Sequence, residues 1–367
     1  MMKFLHCADI HLDSPFTLRS PDEAGKRRTE LRSDFCSAVL YAKTEGCTAF
    51  FIAGDLFDDS FVTKDTMEML AHEFAAFPSC HFFITPGNHD YYYDKSPYAL
   101  TAWSDNVHIF SSPALSYVDI PGTDVRVYGY GFTCDTLNIS PLAGFHVHDE
   151  SKVNVLVAHA DFGSTLSPYA PLPESDLARS GFAYAALGHI HKASELKYAG
   201  KTAYAYSGCL EGRGFDETGY KGALLGEIDA QSLKLRPVRF CKKRYEVCRV
   251  DVTGATSLSG AAAHILEACA AYGADTALRV ILEGITAPEF SAGTEELRTL
   301  LPTPYLLEVR DNTLPLYQTE SLKNDNTLVG EFYRNLEPSL TAEDAGVRAT
   351  AHRALKYGLK ALYGREL

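Results

Sequence analysis

The chain has 367 residues, of which 46% are hydrophobic and 22% charged, and 34 Lys and Arg against 47 Asp and Glu give a formal net charge of −13. This composition can build a buried core, so it excludes a disordered chain, a collagen-like chain and a bare coiled coil. The acid excess argues against a protein that coats nucleic acid with basic side chains, so any phosphate chemistry would need positive charge from another source.

Short runs with strand character recur through the first 240 residues, and helical stretches separate the early ones. The predicted strands are Phe4–Ala8, Ala49–Ala53, Cys80–Thr85, Val107–Phe110, Val125–Tyr130, Val153–Ala158, Tyr184–Leu187, Ala203–Tyr206, Ala223–Ile228 and Leu233–Val238. The predicted helices are Arg27–Glu45 and Thr63–Ala76. Strands that first alternate with helices and then follow one another predict an α/β fold in which two mixed sheets pack face to face, with helices outside.

The composition changes between residues 234 and 249, where Lys and Arg are concentrated. Such a basic run fits either contact with a DNA backbone or a solvated strand between domains. The pattern that follows predicts a small α+β domain. Its elements are the strand Tyr245–Val252, the helix Gly260–Ala271, the strand Ala277–Gly284, the helix Ala292–Leu300 and the strand Tyr305–Val309.

From about Gln318 the sequence predicts a linker and then a helix. Thr341-Ala342-Glu343-Asp344 resembles a capping box. The apolar residues behind it recur at i+3 and i+4 spacing and predict an amphipathic helix: Val347, Ala351, Leu355, Leu359 and Leu362. The apolar face fits either packing on its own domain or docking in a partner's groove. We therefore predict three segments, 1–240, 241–317 and 318–367.

The cysteines and the N-terminus indicate the compartment. Nine cysteines are scattered without a C-x-x-C pair, so we expect reduced thiols. Asp9 comes too early for a signal peptide, and no apolar run approaches the roughly 20 residues that span a bilayer. We expect a cytoplasmic protein with no membrane partner.

Five segments place carboxylate, amide or imidazole side chains where a predicted strand ends. They are Ala8-Asp9-Ile10-His11, Gly54-Asp55-Leu56-Phe57-Asp58, Gly87-Asn88-His89-Asp90, Ala158-His159-Ala160-Asp161 and Gly188-His189-Ile190-His191. The carboxyl ends of strands in an open sheet converge on one crevice. Strand alternation predicts that Asp9 and His11, like His189 and His191, point to the same side. Oxygen and imidazole ligands without thiolate suit Mn²⁺, Fe²⁺ or Zn²⁺.

In this order, D-x-H, G-D-x-x-D, G-N-H-D, an isolated strand-end His and G-H-x-H resemble the calcineurin-like metallophosphoesterase superfamily, over roughly residues 1–230. Within it, three segments resemble the SbcD-type DNA-repair nucleases, including the shorter YhaO-like members: Leu5–Asp13, Ala186–Lys192 and Tyr206–Glu211 with Phe215 and Lys221-Gly222. The resemblance implies a four-layer αββα sandwich, a small capping domain that orients DNA, and C-terminal helices that dock onto an SMC-like (SbcC-type) ATPase. Whether the chain forms a homodimer is left open by the resemblance.

The resemblance also implies a site for two metals, with Mn²⁺ expected and Fe²⁺ or Zn²⁺ as alternatives. One metal would be held by Asp9, His11, Asp55 and His191, and the other by Asp55, Asn88, His159 and His189. His89 would stabilise the transition state or protonate the leaving oxygen. Asp58 and Asp90 would orient a ligand or His89 by hydrogen bonds. In some of these nucleases a histidine occupies the position of Asp58, which leaves a further catalytic group there open.

The function that this resemblance implies is Mn²⁺-dependent hydrolysis of DNA phosphodiester bonds, as an exonuclease or endonuclease in DNA repair. The cations would supply the positive charge that the composition lacks. One alternative is a phosphatase or cyclic-nucleotide phosphodiesterase, but a small substrate does not require residues 241–367. Another is an assembly subunit with structural metals, against which the intact ligand set weighs. Arg213 is a candidate for phosphate contact, and Tyr91–Tyr93 for stacking on a base.

Overall fold

The structure is a computed structural model that describes residues 1–16, 20–288, 290–317 and 319–363. Two compact units make up the chain, Met1–Arg244 and Tyr245–Leu367. In chain order the first unit contains β1 (Met2–Cys7), α1 (Pro21–Glu45), β2 (Ala49–Ile52), α2 (Lys64–Ala75), β3 (His81–Ile84), α3 (Pro97–Leu100), β4 (Val107–Ile109), β5 (Ser116–Asp119), β6 (Val125–Gly129), β7 (Val153–His159), β8 (Asp161–Phe162), β9 (Pro171–Leu172), α4 (Glu174–Arg179), β10 (Tyr184–Gly188), β11 (Lys197–Ala199), β12 (Thr202–Tyr206), β13 (Gly222–Ile228) and β14 (Leu233–Arg239).

Two six-stranded mixed sheets form the body of this unit. The first has the order β14-β13-β1-β2-β3-β4, and the second has the order β11-β12-β10-β7-β6-β5. Strands β1 to β4 are parallel to one another, and β13 runs antiparallel to β1. In the second sheet the four central strands are parallel, and the edge strands β5 and β11 are antiparallel to their neighbours. The α/β fold with two mixed sheets that the sequence predicts is therefore confirmed.

Strand β2 shows why the sheets stack face to face, because all four of its residues are buried. Phe50 packs with Phe35 of α1 in the cluster on the outer face of the first sheet, whereas Phe51 packs with Val155 of β7 between the sheets. A strand that is buried on both faces reads as a continuous apolar run, which is how β2 appears in the sequence. The outer face of the second sheet carries another apolar cluster, to which Leu177 of α4 contributes.

His6 links the two sheets. Its Nδ1 lies 2.9 Å from the Tyr184 hydroxyl, and its Nε2 lies 3.2 Å from the Leu187 carbonyl oxygen, both on β10. Burial lowers the pKa of His6 to about 3, so the ring is neutral at physiological pH. Nε2–H therefore donates to Leu187 while Nδ1 accepts from Tyr184. This histidine is part of the core and is not a ligand.

Helix α1 begins six residues earlier than the apolar pattern predicts. Ser20 is the N-cap and forms a capping box with Glu23, and Pro21 occupies the first helical position. The first turn has no apolar periodicity, so its start depends on capping chemistry rather than on a buried face. Gly46 ends the helix in the left-handed region, with a φ of 73°.

The second unit contains the remaining elements of the described chain. They are β15 (Arg244–Asp251), α5 (Leu258–Cys269), β16 (Thr276–Glu283), β17 (Ile285–Thr286), α6 (Thr294–Leu300), β18 (Leu306–Asp311), β19 (Leu314–Pro315), α7 (Thr319–Lys323), α8 (Leu328–Leu340) and α9 (Ala345–Leu362). Three of these strands form a small sheet in the order β15-β16-β18, in which β16 and β18 are parallel. Val250, Ile265, Leu278 and Leu297 belong to the apolar core between this sheet and its helices.

The C-terminal segment differs from its prediction at two points. Gln318 lies outside the described residues, and from Thr319 onward the chain forms α7 and α8 instead of a linker. The predicted capping box at Thr341 is wrong, because the N-cap of α9 is Asp344, whose carboxylate accepts from the amides of Gly346 and Val347. An aspartate directly before the first helical residue satisfies these donors by itself.

The apolar stripe of α9 is only partly available to a partner. Leu355 and Leu359 are buried in a cluster with Val329 and Tyr333 of α8, so the centre of the stripe packs on its own unit. Val347 at one end is 48% exposed. No helix in the described part of the chain combines the length and apolar character that crossing a membrane requires.

Candidate metal centre

The predicted ligands come from the carboxyl ends of strands in both sheets. Asp9 follows β1, Asp55 follows β2, and Asn88 follows β3, all in the first sheet. His159 ends β7, and His189 follows β10 in the second sheet. Because these strands are parallel within each sheet, their ends meet along one edge, as expected for an α/β binding crevice.

Hydrogen bonds tie the two sheet edges together at this point. The backbone amide of His189 donates to the Asp9 carboxylate at 3.0 Å and 3.2 Å. The imidazole Nδ1 of His159 lies 3.0 Å from the carbonyl oxygen of Ala53. Each bond joins a residue of one sheet edge to the other edge, so the ligand positions of the two sheets are fixed relative to each other.

Several of the predicted ligands adopt a backbone conformation that L-residues rarely use. Asp9, His11 and Asp55 have φ values of 50°, 51° and 51°, and His189 has a φ of 103°. Strand β1 ends at Cys7, β2 at Ile52 and β10 at Gly188, so these residues lie beyond the strands. Asp9 and His11 do bring ligand atoms to one group, but not by strand alternation as predicted, and the His189 pair likewise lies beyond its strand. Non-glycine residues in this region cluster at functional sites, where the surrounding structure holds them.

The glycines of two motifs are required by close approach. A Cβ on Gly54 would lie 2.2 Å from Nδ1 of His159, and a Cβ on Gly87 would lie 2.3 Å from Oδ1 of Asp55. Any side chain at either position would displace a predicted ligand. The glycine before Asp55 and the glycine before Asn88 thus belong to the site, since only a residue without a side chain lets the ligands converge.

One half of the site brings together Asp9, His11 and His191, whose ligand atoms lie within 4.8 Å of one another. His11 Nδ1 lies 2.7 Å from Oδ1 of Asp58, to which it donates, so Nε2 carries the free lone pair. This Nε2 is buried without a hydrogen-bond partner and lies 3.6 Å from Oδ2 of Asp55. A buried acceptor beside a carboxylate lacks a donor, and a bound cation would satisfy both groups.

The other half brings together Asp9, Asp55 and His159, again within 4.8 Å. Because His159 Nδ1 donates to Ala53, its Nε2 is an acceptor, yet Oδ1 of Asn88 lies only 3.0 Å away. Two acceptors at this distance fit a shared cation. The ring of His189 lies beside this group, with its centroid 5.2 Å from that of His159.

Asp55 occupies the position between the two halves. Its Oδ2 lies 3.6 Å from Nε2 of His11 and 3.4 Å from Nε2 of His159. Burial acts to raise the pKa of Asp55, but charge attraction to the neighbouring histidines, His159 first, outweighs burial and lowers it. Burial lowers the pKa of His189 to about 4. A carboxylate and a neutral imidazole are the states that bind metal, so the chemistry of these donors fits divalent cations.

The three residues predicted to support catalysis lie in different surroundings. His89 is the open one, with 54% of its side chain exposed and its Nδ1 3.6 Å from Oδ1 of Asp58. Asp58 also accepts from His11, so it lies between a predicted ligand and His89. Asp90 is fully buried, and its hydrogen bonds involve other groups than the His89 ring. It accepts from the amides of Asp55, Leu56 and Gly87 and from the hydroxyl of Tyr98.

The structure adds Glu217, which the sequence did not single out. Its Oε1 lies 2.5 Å from Nδ1 of His191. Arg213, predicted only as a candidate for phosphate contact, donates to Glu217 at 3.3 Å and lies 4.0 Å from Oδ2 of Asp58. The segment after β12 therefore reaches the site, and its resemblance to the nuclease sequences was the signal that could have pointed there.

The fold and this donor set define a metal-dependent phosphoesterase. Residues 2–193, more than half of the chain, match the family model described as calcineurin-like phosphoesterase. The chain belongs to this family.

Two curated relatives and one solved structure show how far the similarity extends. The chain is 29% identical over 304 residues to the uncharacterized metallophosphoesterase YhaO of Bacillus subtilis (strain 168), covering 79% of this chain and 73% of that protein. It is 28% identical over 251 residues to the DNA double-strand break repair protein Mre11 of Aeropyrum pernix, covering 61% of this chain and 57% of that protein. A dimetal phosphatase from Danio rerio aligns with a TM-score of 0.42 at 12% identity, covering 65% of this chain and 96% of that chain.

Proposed function

We propose that this phosphoesterase hydrolyses DNA phosphodiester bonds in DNA repair, as an exonuclease or endonuclease of the SbcD-like kind with Mn²⁺ as its metal. The observation that carries the proposal is the similarity over 251 residues to a DNA double-strand break repair protein. The geometry supports it, because ligand atoms of five of the implied residues fall into two groups that share Asp9: Asp9, His11 and His191 in one, and Asp9, Asp55 and His159 in the other.

Bound divalent cations would activate a water molecule and neutralise the charge of the phosphodiester. The chain's own residues do the rest. Asp55 fixes the centre of the site, and Asp58 holds the ring of His11 by accepting from Nδ1. In the hydrolysis, the oxygen of water would bond to phosphorus and lose one proton to solvent while one P–O bond breaks. The half-exposed His89, beside Asp58, would give a proton to the leaving oxygen and take one back from solvent.

The basic run between residues 234 and 249 contributes less to DNA binding than its composition indicates. Arg236 donates to Glu45 at 3.2 Å, and Lys243 donates to Glu30 at 2.7 Å. Arg249 likewise pairs with Glu283. These cations are partly neutralised within their own units, so the positive charge that meets a phosphate would come chiefly from the metals.

End-labelled duplex and single-stranded DNA, incubated in parallel with Mn²⁺ and with EDTA, test this proposal. We expect shortened DNA products with Mn²⁺ and intact DNA with EDTA, because the carboxylate and imidazole donors need a cation to act. A small phosphomonoester and a cyclic nucleotide serve as comparison substrates. Hydrolysis of either small substrate under conditions that leave both DNA forms intact would contradict the proposal and support a small-molecule phosphoesterase.

We also propose that the chain works with an SMC-like ATPase that contacts α9. The exposed ends of the apolar stripe, Val347 and Leu362, are the positions to test, because Leu355 and Leu359 are needed for packing within the unit. Val347→Asp combined with Leu362→Asp should abolish co-purification with the coiled-coil ATPase and leave cleavage of a small phosphoester unchanged. Unchanged co-purification would exclude this surface.

A further inference from the structure

His191 makes a short contact on the side of its ring that faces away from the other predicted ligands. Its Nδ1 lies 2.5 Å from Oε1 of Glu217, and the Glu217 side chain is 9% exposed. Its Nε2 lies 3.9 Å from Oδ1 of Asp9, within the metal-ligand group. The imidazole thus lies between a buried carboxylate and the group of predicted metal ligands.

We propose that Glu217 is a positioning residue for the metal ligand His191, and this inference rests on the two-metal site of the proposed function. By accepting from Nδ1–H, Glu217 fixes the tautomer whose lone pair is on Nε2 and sets the plane of the ring. The carboxylate also increases the electron density that the imidazole can offer a cation. Partners of this kind contribute to metal affinity although they never contact the metal.

Two neighbouring ligands, His11 and His159, support this role, because both have an acceptor for Nδ1–H. His11 donates to Asp58 at 2.7 Å, and His159 donates to the Ala53 carbonyl oxygen at 3.0 Å. His191 differs from both in exposure, since 29% of its side chain is accessible against 1% for His11 and 0% for His159. Packing restrains its ring less, so His191 depends most on its hydrogen-bond partner.

Glu217 is itself held in place from the opposite side. The backbone amide of Arg213 donates to Oε2 at 2.7 Å, and Nη2 of Arg213 donates to Oε1 at 3.3 Å. The thiol of Cys209 lies 3.9 Å from Oε2. Both carboxylate oxygens are therefore occupied by this segment and by His191, which leaves the carboxylate one orientation. Such a carboxylate can define the direction in which a ligand points.

Metal titration of the metal-free full chain tests the proposal. Mn²⁺ binding is measured by calorimetry and Co²⁺ binding by absorption, each for the wild type, Glu217→Ala and Glu217→Gln. We expect two sites in the wild type. In Glu217→Ala, one site should weaken by about 10–100-fold and its Co²⁺ spectrum should change, while the other site keeps its affinity. Glu217→Gln keeps an acceptor oxygen and should recover part of the loss. The matched control is Asp216→Asn, at the exposed carboxylate next to Glu217 in the same segment, which should keep the affinity of both sites.

Wild-type affinity at both sites of Glu217→Ala would overturn the proposal. So would an equal weakening of both sites together with a lower melting temperature in EDTA, because that pattern indicates a structural role. A wild type that binds fewer than two cations would remove the basis of the proposal. A wild type that binds two cations but leaves DNA uncut would instead contradict the proposed function alone, since metal titration does not involve DNA.

Discussion

Asp55→Ala is expected to abolish metal binding and phosphoester hydrolysis together. Oδ2 of Asp55 lies within 3.6 Å of Nε2 of His11 and 3.4 Å of Nε2 of His159, so its removal takes a donor from both halves of the site. The cations contribute several kcal/mol to transition-state stabilisation, and activity should fall below detection without them. Metal content of the purified variant, measured by mass spectrometry, and hydrolysis of a chromogenic phosphodiester report the two losses separately.

His89→Gln is the matched comparison and should keep both metals. His89 is not a predicted ligand, and its side chain is 54% exposed beside Asp58. Loss of a general acid costs about 10²–10⁴-fold in turnover. His72→Gln, at an exposed position in the last turn of α2, controls for histidine removal as such and should change neither quantity. Full metal content and normal turnover in Asp55→Ala, or normal turnover in His89→Gln, would show that the site assignment is wrong.

The sequence identified the ligand types because the strand ends carry them in a fixed order. Parallel strands β1, β2 and β3 bring Asp9, Asp55 and Asn88 to one edge, which follows from topology alone. The backbone conformation at those positions could not be predicted from the topology. The strands stop short of the ligands, and the left-handed conformation of Asp9 is stabilised by tertiary contacts that no local propensity reports.

Contacts between distant segments were beyond sequence reasoning. Glu217 lies 26 residues after His191, and no local pattern marks it as a partner of that ring. Asp90 was predicted to orient a ligand or His89. Its four donors are the Tyr98 hydroxyl and three backbone amides, one of them from the predicted ligand Asp55, so it holds the loop of a ligand instead of the His89 ring. A motif identifies residue types at a site, but hydrogen-bond partners depend on the packed geometry.

Arg27→Met is expected to destabilise the first unit by about 3–5 kcal/mol, because it leaves a buried carboxylate without its partner. Arg27 on α1 is 1% exposed and donates to Oε1 of Glu211 at 2.6 Å. Glu211 is also 1% exposed and lies in the segment that carries Glu217 to the site. Urea unfolding in EDTA, where metal binding adds nothing, measures the difference in the free energy of unfolding from the wild type.

The size of this loss should depend on pH, in a direction that follows from Glu211. Burial raises its pKa to about 7 against the opposing effect of Arg27, and without Arg27 the pKa rises further. A carboxyl whose folded pKa lies above its unfolded value binds its proton more tightly in the folded state, so its contribution to stability falls as pH rises through that range. At pH 6 the proton relieves the unpaired charge, whereas at pH 8.5 the variant must bury it. The loss of unfolding free energy in Arg27→Met should therefore be larger at pH 8.5 than at pH 6. The difference is about 1.4 kcal/mol for each unit by which the variant's Glu211 pKa exceeds the wild-type value, up to pH 8.5.

The double variant Arg27→Met with Glu211→Leu separates a missing partner from a missing contact. Replacement of both members of a buried ion pair by apolar side chains is often neutral or stabilising. We therefore expect the double variant to recover most of the lost stability and to lose the pH dependence, because no buried carboxyl remains at position 211. A double variant as unstable as Arg27→Met at pH 8.5 would show that the guanidinium acts through Glu30, its other partner on α1, instead of through Glu211.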